Sequence, residues 1–222
     1  MQLYYIIVPI NIVLIIVYLI ARNRENLKLT AIIQPLTTFL SLAIAASSLF
    51  NPASNSSYTI WILIGIGLCF AADIFNIDMN NDKIFITGII FFMVAYLEYA
   101  ATFTIFNKGF QRQDILVGII FIAIYLLLMR LYWKNLGQYK LPIMIYGLIL
   151  PFMVTRAIST IFGGSFPMTS AILISVGSLM LFLGDVEYGM HRFYKPSKFV
   201  IGPICYAGGQ LLIALSCATF II

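Results

Sequence analysis

Eight apolar runs, each about 20 residues long, occupy almost the whole of the 222-residue chain. They lie at about 2–20, 30–50, 58–77, 84–106, 114–133, 140–162, 168–189 and 199–221. As a helix, a run of that length rises about 30 Å, the thickness of a bilayer's hydrocarbon core. In lipid the backbone has no water to bond, and extended segments would leave unpaired edges, so each run must be a helix. The connections are short, and no linker, low-complexity tract or soluble domain separates the runs. The fold expected is an all-α integral membrane protein: one polytopic domain, residues 1–222, of eight transmembrane helices. Composition points the same way. Hydrophobic residues make up 62%, charged residues 9%, and mean hydropathy is +1.01, which is more apolar surface than a soluble domain of this length could bury.

The net charge of +5 does not point to nucleic acid. The basic residues form no dense cluster and sit between the apolar runs, as in loops that face anionic lipid. Cys69, Cys205 and Cys217 all fall inside apolar runs without a CxxC spacing, and His191 stands alone in a basic loop. A disulfide frame, a zinc site or a Ser-His-Asp triad would need more than this, so neither metal nor cofactor is expected. The first run has no basic leader and no small-residue cleavage site, and reads as a retained helix. Odd-numbered loops carry Arg22, Arg24, Lys28, Lys83, Arg130, Lys134, Lys140, Arg192, Lys195 and Lys198, whereas even-numbered loops carry only Lys108 and Arg112. That imbalance places the odd loops in the cytoplasm and both termini outside, in a cell membrane that would be the inner one in a bacterium.

Two runs end alike. GIGLCFAAD (Gly65–Asp73) returns as GSLMLFLGD (Gly177–Asp185), and 177−65, 182−70 and 185−73 all equal 112. This is about half the chain, which suggests two parallel four-helix halves, about 1–112 and 113–222, related by an axis along the membrane normal. Each half would deliver one aspartate to a shared intramembrane site. The same shift pairs Glu98 with Gln210 and Gln34 with Tyr146.

A charge at the centre of a membrane helix costs about 2.5–3.5 kcal/mol on insertion scales. Asp73 and Asp185 fall near the predicted cytoplasmic ends, where the cost is lower, so each can be read as a cap or as part of a site. Both follow a small residue, Ala72 and Gly184, which lets another group approach. Gln34, Thr38, Ser41 and Ser48 form one stripe on the second helix, facing either a cavity or a neighbour. Pro35 marks a start or a bend there. Glu98 and Arg156 lie about 14 and 15 residues in from their cytoplasmic ends, and their equal depth predicts a structural ion pair. Tyr146, Met153, Arg156 and Thr160 share one face of the sixth helix, which Pro151 is expected to kink. Tyr206 and Gln210 stand one turn apart on the eighth, among Gly202, Gly208 and Gly209.

Taken in order, QPLTTFL near Gln34, GLCFAAD, FFMVAYLEY, YGLILPFM, LMLFLGD and Y-A-G-G-Q resemble the YhhN family of membrane proteins, which includes lysoplasmalogenases. The resemblance spans nearly the whole chain. Both aspartates match, as do Tyr99, Tyr146, Tyr206 and Gln210. This chain has Gln34 where the family usually has Lys, Tyr96 where it has His, Ala72 where it has Gly, and Gly184 where it has Ser. The resemblance implies hydrolysis of the vinyl ether of lysoplasmalogens (alkenyl glycerophosphocholine or glycerophosphoethanolamine) to a fatty aldehyde and a glycerophospho-base. Asp73 and Asp185 would be catalytic, with Gln34, Tyr96, Tyr99, Tyr146, Tyr206 and Gln210 around the substrate. The partners implied are a lysophospholipid and membrane lipids. Two carboxyl groups suit the chemistry: one protonates the β-carbon of the vinyl ether, and a second, ionised one activates water and steadies the cation. The phosphate would meet Arg192, Lys195 or Lys198, and the hydrocarbon chain would run inward past Phe70 and Phe182. The alternatives are a non-enzymatic lipid-binding or transport protein on the same scaffold, and a proton-coupled carrier built on Glu98 and Arg156. An enzyme should show a closed-ended pocket at the aspartates, and a carrier a route across the bilayer.

Overall fold

The computed structural model describes residues 4–75, 81–195 and 198–221. These residues form eight long helices: α1 (Tyr4–Asn23), α2 (Leu27–Ser47), α3 (Ser56–Phe75), α4 (Asp82–Phe106), α5 (Gln113–Tyr132), α6 (Lys140–Phe162), α7 (Met168–Phe193) and α8 (Gly202–Thr219). Each is long and apolar enough to cross a membrane, and the chain is an all-α integral membrane protein. The expected end of the third run at 77 lies outside the described residues. Two boundaries differ clearly from expectation: α7 runs on to Phe193, past the expected 189, and α2 does not wait for its proline. α2 begins at Leu27, eight residues before Pro35, where the Asn26 side chain accepts a hydrogen bond from the Leu29 amide at 3.0 Å. That cap supplies the start signal, so the helix absorbs Pro35 as an interior residue.

Successive helices within each half pack on one another, α1 to α4 and α5 to α8. The halves join where α2 packs on α8 and α6 packs on α4. α8 is the central element: 72% of its span is buried, against 17% in α5. Small residues allow this. A Cβ at Gly177 would lie 2.9 Å from the Gly209 carbonyl oxygen, and one at Gly209 would lie 2.6 Å from that of Gly177. Only glycine at both positions lets α7 and α8 approach so closely. Gly65 holds the equivalent position on α3, against Glu98 and Tyr99 of α4.

The two ends of the bundle differ. The ten basic residues counted above lie in the odd loops or in the helix turns next to them, and this is termed the basic end. At the opposite end Tyr58 packs against Phe106, Phe166 and Phe220, with ring centroids 5.4, 5.6 and 4.9 Å away. Its hydroxyl shares a 2.7 Å hydrogen bond with Ser216. At the basic end Glu187 of α7 caps α8, accepting from the amides of Val200 at 2.8 Å, Ile201 at 3.1 Å and Gly202. A carboxylate at a helix N-terminus satisfies orphan donors and complements the helix dipole. Glu187→Ala is expected to cost about 1–2 kcal/mol, measured as a lower thermal midpoint of the detergent-solubilised protein. Glu187→Gln, which keeps one acceptor oxygen, should lose less.

Candidate functional site

Asp185 sits two turns before the end of α7. Two phenols converge on a single oxygen of its carboxylate. Tyr96 of α4 donates to Oδ2 at 2.7 Å, and Tyr146 of α6 donates to the same Oδ2 at 2.6 Å. The two tyrosine rings lie 5.8 Å apart. Oδ1 is left outside that pair. Asp73, near the end of α3, is held by the start of the α2 stripe. Gln34 Nε2 donates to Oδ1 at 2.8 Å and Thr38 Oγ1 donates to Oδ2 at 2.5 Å. Gln34 and Thr38 are one turn apart, so a single helical face reaches both oxygens. Asp73 is fully buried, whereas Asp185 is partly open.

The hydrogen bonds from Gln34 to Asp73 and from Tyr146 to Asp185 each span 39 residues. The donors are separated by the same 112 residues (146−34) as the acceptors (185−73). Equivalent positions of α2 and α6 therefore hold the aspartates at equivalent positions of α3 and α7. The second donors break the correspondence, since Thr38 lies on α2 and Tyr96 on α4.

A cavity of about 70 Å³ opens beside Asp185, lined also by Gln34, Tyr146, Tyr188, Arg192 and Tyr206, with Phe85, Phe92 and Phe193 among its apolar walls. It has room for a few waters. All of these residues lie in the basic-end halves of α2, α4, α6, α7 and α8. Asp73 is not on the wall. It lies behind Gln34, close to Tyr206 and within electrostatic reach of Asp185. The Arg192 guanidinium rests over the rings of Phe85 and Tyr139, 5.4 and 5.7 Å from their centroids. It is the basic side chain on the cavity wall; Lys195 and Lys198 do not line it.

Of the residues singled out from sequence, Gln34, Tyr96, Tyr146, Tyr206, Asp73 and Asp185 are thus brought together. Tyr99 and Gln210 are not on the cavity wall. They bond one another, Tyr99 Oη donating to Gln210 Oε1 at 2.8 Å, and tie α4 to α8 deeper in the bundle. Lower on α2, Ser41 accepts from Asn11 Nδ2 at 3.1 Å, so the polar stripe divides between the site and packing against α1. Arg192, one of the three cations expected at the phosphate, is the one that reaches the wall. Sequence reading leaves open whether the Thr38 stripe faces a cavity or a neighbour, and it does not single out Tyr188, although Asp185, Tyr188 and Arg192 stand at i, i+3 and i+7, one face of α7.

The expected Glu98–Arg156 pair does not form. Arg156 pairs instead with Asp114, in the first turn of α5. Its Nε donates to Thr104 Oγ1 at 2.8 Å, a terminal nitrogen donates to the Gly109 carbonyl at 2.6 Å, and the guanidinium lies 4.3 Å from the Phe110 ring centroid. Glu98 accepts from Thr102 Oγ1 at 2.6 Å and lies against Gly65 of α3. Equal depth was the wrong criterion. The arginine stem carries its charge several ångströms toward the opposite end of the bundle, and the two side chains leave their helices on different faces.

A family model described as the YhhN family matches residues 29–217. No curated protein and no solved structure matches the chain.

Removing Asp114 leaves Arg156 buried without its anion, a class of change that costs about 3–5 kcal/mol. Asp114→Ala should therefore lower the thermal midpoint in detergent far more than Glu98→Gln, which keeps an acceptor for Thr102. Equal losses would restore the discarded pairing.

Proposed function

The chain belongs to the YhhN family, and we propose that its basic-end cavity is the active site of a hydrolase. The substrate is a lysoplasmalogen, and the bond cleaved is its vinyl ether, giving a fatty aldehyde and a glycerophospho-base. The observation that carries this reading is the setting of Asp185, a cavity-wall carboxyl with two phenols on one oxygen and the other left for chemistry.

In the proposed cycle Asp185 is a carboxylic acid with its proton on Oδ1. The π pair of the vinyl ether takes that proton at the β-carbon, and an oxocarbenium ion forms at the carbon joined to oxygen. Water attacks that carbon and returns a proton to Asp185. The hemiacetal then expels the glycerol oxygen, leaving the aldehyde. Tyr96 and Tyr146 hold the carboxyl in one orientation and stabilise the charge left on it when the proton departs. Asp73 has a donor on each of its two oxygens, whereas Asp185 has both donors on one; the first arrangement suits an ionised carboxylate, and its negative charge stabilises the oxocarbenium ion from behind Gln34. Arg192 binds the phosphate at the mouth of the cavity.

By the bias of basic residues the basic end is cytoplasmic and both termini are outside. A lysolipid's ether lies next to its headgroup, so a bond cut at that surface needs a site near one end of the bundle. The position of the cavity fits that requirement. The two halves of the chain, about 1–112 and 113–222, act as pseudo-equivalent units that each contribute one aspartate and its first donor. A carrier would need a path to the other face. There the bundle is filled by the Tyr58 aromatic cluster and by Arg156 with its partners. This favours a hydrolase over a transport protein.

Purified protein should release aldehyde from lysoplasmalogen. Asp185→Asn and Asp73→Asn are each expected to lower kcat by about 100-fold or more while both proteins stay folded. Wild-type rates in both variants would reject the assignment. Arg192→Gln should raise KM about tenfold, the effect of losing one charge-assisted bond, and leave kcat within about twofold.

A further inference from the structure

A second cavity of about 70 Å³ meets the first at Asp185 and Tyr146. It lies between α5, α6 and α7, and its walls are almost wholly apolar: Leu128 and Met129 of α5, Leu150 and Pro151 of α6, Phe182 and Val186 of α7. The polar residues of the first cavity (Gln34, Tyr188 and Arg192) are not part of it. From Tyr132 to Tyr125 it follows two turns of α5, about 10 Å, away from the basic end.

We infer that this groove holds the single hydrocarbon chain of the substrate, reached sideways from the bilayer past α5. The inference rests on the hydrolase reading for the identity of the substrate. Its geometric support is independent. The groove is continuous with the carboxyl site, so an ether beside Asp185 places the attached chain in the groove and the phosphate on the Arg192 side. α5 is the least buried of the eight helices; it packs on α6 and barely touches α7. Two α5 tyrosines cover the groove by lying over glycines. A Cβ at Gly147 would come 2.8 Å from the Tyr125 ring, and one at Gly189 would come 3.0 Å from the Tyr132 hydroxyl. Larger residues there would push both rings off the groove.

This path corrects one expectation from sequence. Phe182 lines the groove, but Phe70 packs against Phe39 of α2, 6.0 Å between ring centroids, and lines neither cavity. The division also sets a specificity. One apolar groove accommodates one chain. A second chain on the same glycerol would have to enter the cavity of Gln34, Tyr188 and Arg192, where its methylenes would displace water from polar groups without replacing their hydrogen bonds. The groove therefore selects one-chain over two-chain lipids.

The test uses the full-length protein in nanodiscs with a non-hydrolysable alkyl lysophosphocholine bearing a diazirine at the end of its chain. After irradiation, adducts are mapped by peptide mass spectrometry. Expected are adducts at Leu128, Met129, Leu150 or Phe182. Excess unlabelled alkyl lysophosphocholine should suppress them about tenfold, and the same excess of dialkyl phosphocholine should suppress them little. Met129→Trp, which fills the groove, should abolish those at Leu150 and Phe182. Adducts confined to outward-facing residues such as Ile119 and Leu126, or equal competition by both lipids, would overturn the inference. Aldehyde release without competed groove adducts would reject the groove and keep the hydrolase. Competed adducts without aldehyde release would keep the groove as a one-chain lipid site and reject the hydrolase.

Discussion

A carboxylate inside a membrane bundle has no water to bond, and each of the two aspartates is met by donors from neighbouring helices. An ionised carboxyl costs about 2.5–3.5 kcal/mol at the centre of a transmembrane helix and less near its end, and a hydrogen bond to a charged acceptor returns about 1.5–3 kcal/mol. Two donors therefore cover the cost of an ionised Asp73, and of Asp185 once it has given up its proton. Asp73 draws both donors from α2 and Asp185 draws one each from α4 and α6. These bonds fix the rotation of five helices (α2, α3, α4, α6 and α7) about their axes, which apolar packing alone leaves weakly determined because lipid tails are as apolar as the core. The buried glycines of α7 and α8 then set how closely those two helices approach.

The same constraint divides the bundle into two unlike ends. The half away from the basic loops is filled by aromatic rings and by a guanidinium tied on several sides. Two small cavities lie in the basic half, and both reach Asp185. One carries Gln34, Tyr188 and Arg192 among its apolar walls; the other is almost wholly apolar and lies under the most loosely packed helix. A molecule with a phosphate at one end and a single chain at the other has the same division of character, with its ether at the junction.

Much of this was legible in the sequence because hydropathy records depth. The eight spans, the two aspartates and the Gln34–Tyr146 correspondence could all be read from spacing along the chain. What spacing does not record is azimuth, the direction in which a side chain leaves its helix relative to neighbours not yet placed. Glu98 and Arg156 share a depth but not a direction, so the arginine went to Asp114, which the sequence had shown only as the first residue of a span. Phe70 and Phe182 occupy equivalent positions in the two halves, yet only Phe182 reaches the groove, because α5 lies beside it and leaves a gap. Arg192 was legible as a cation near the aspartate and from its period with Asp185, whereas Tyr188 was legible from that period alone.

The central claim is that a carboxyl on this cavity delivers a proton to the carbon of a vinyl ether. It is tested most directly by incubating the purified protein with lysoplasmalogen in heavy water and reducing the aldehyde in place to the alcohol. Proton delivery to the β-carbon places one deuterium on the carbon next to the former carbonyl. Absence of aldehyde, or aldehyde without that deuterium, contradicts the account.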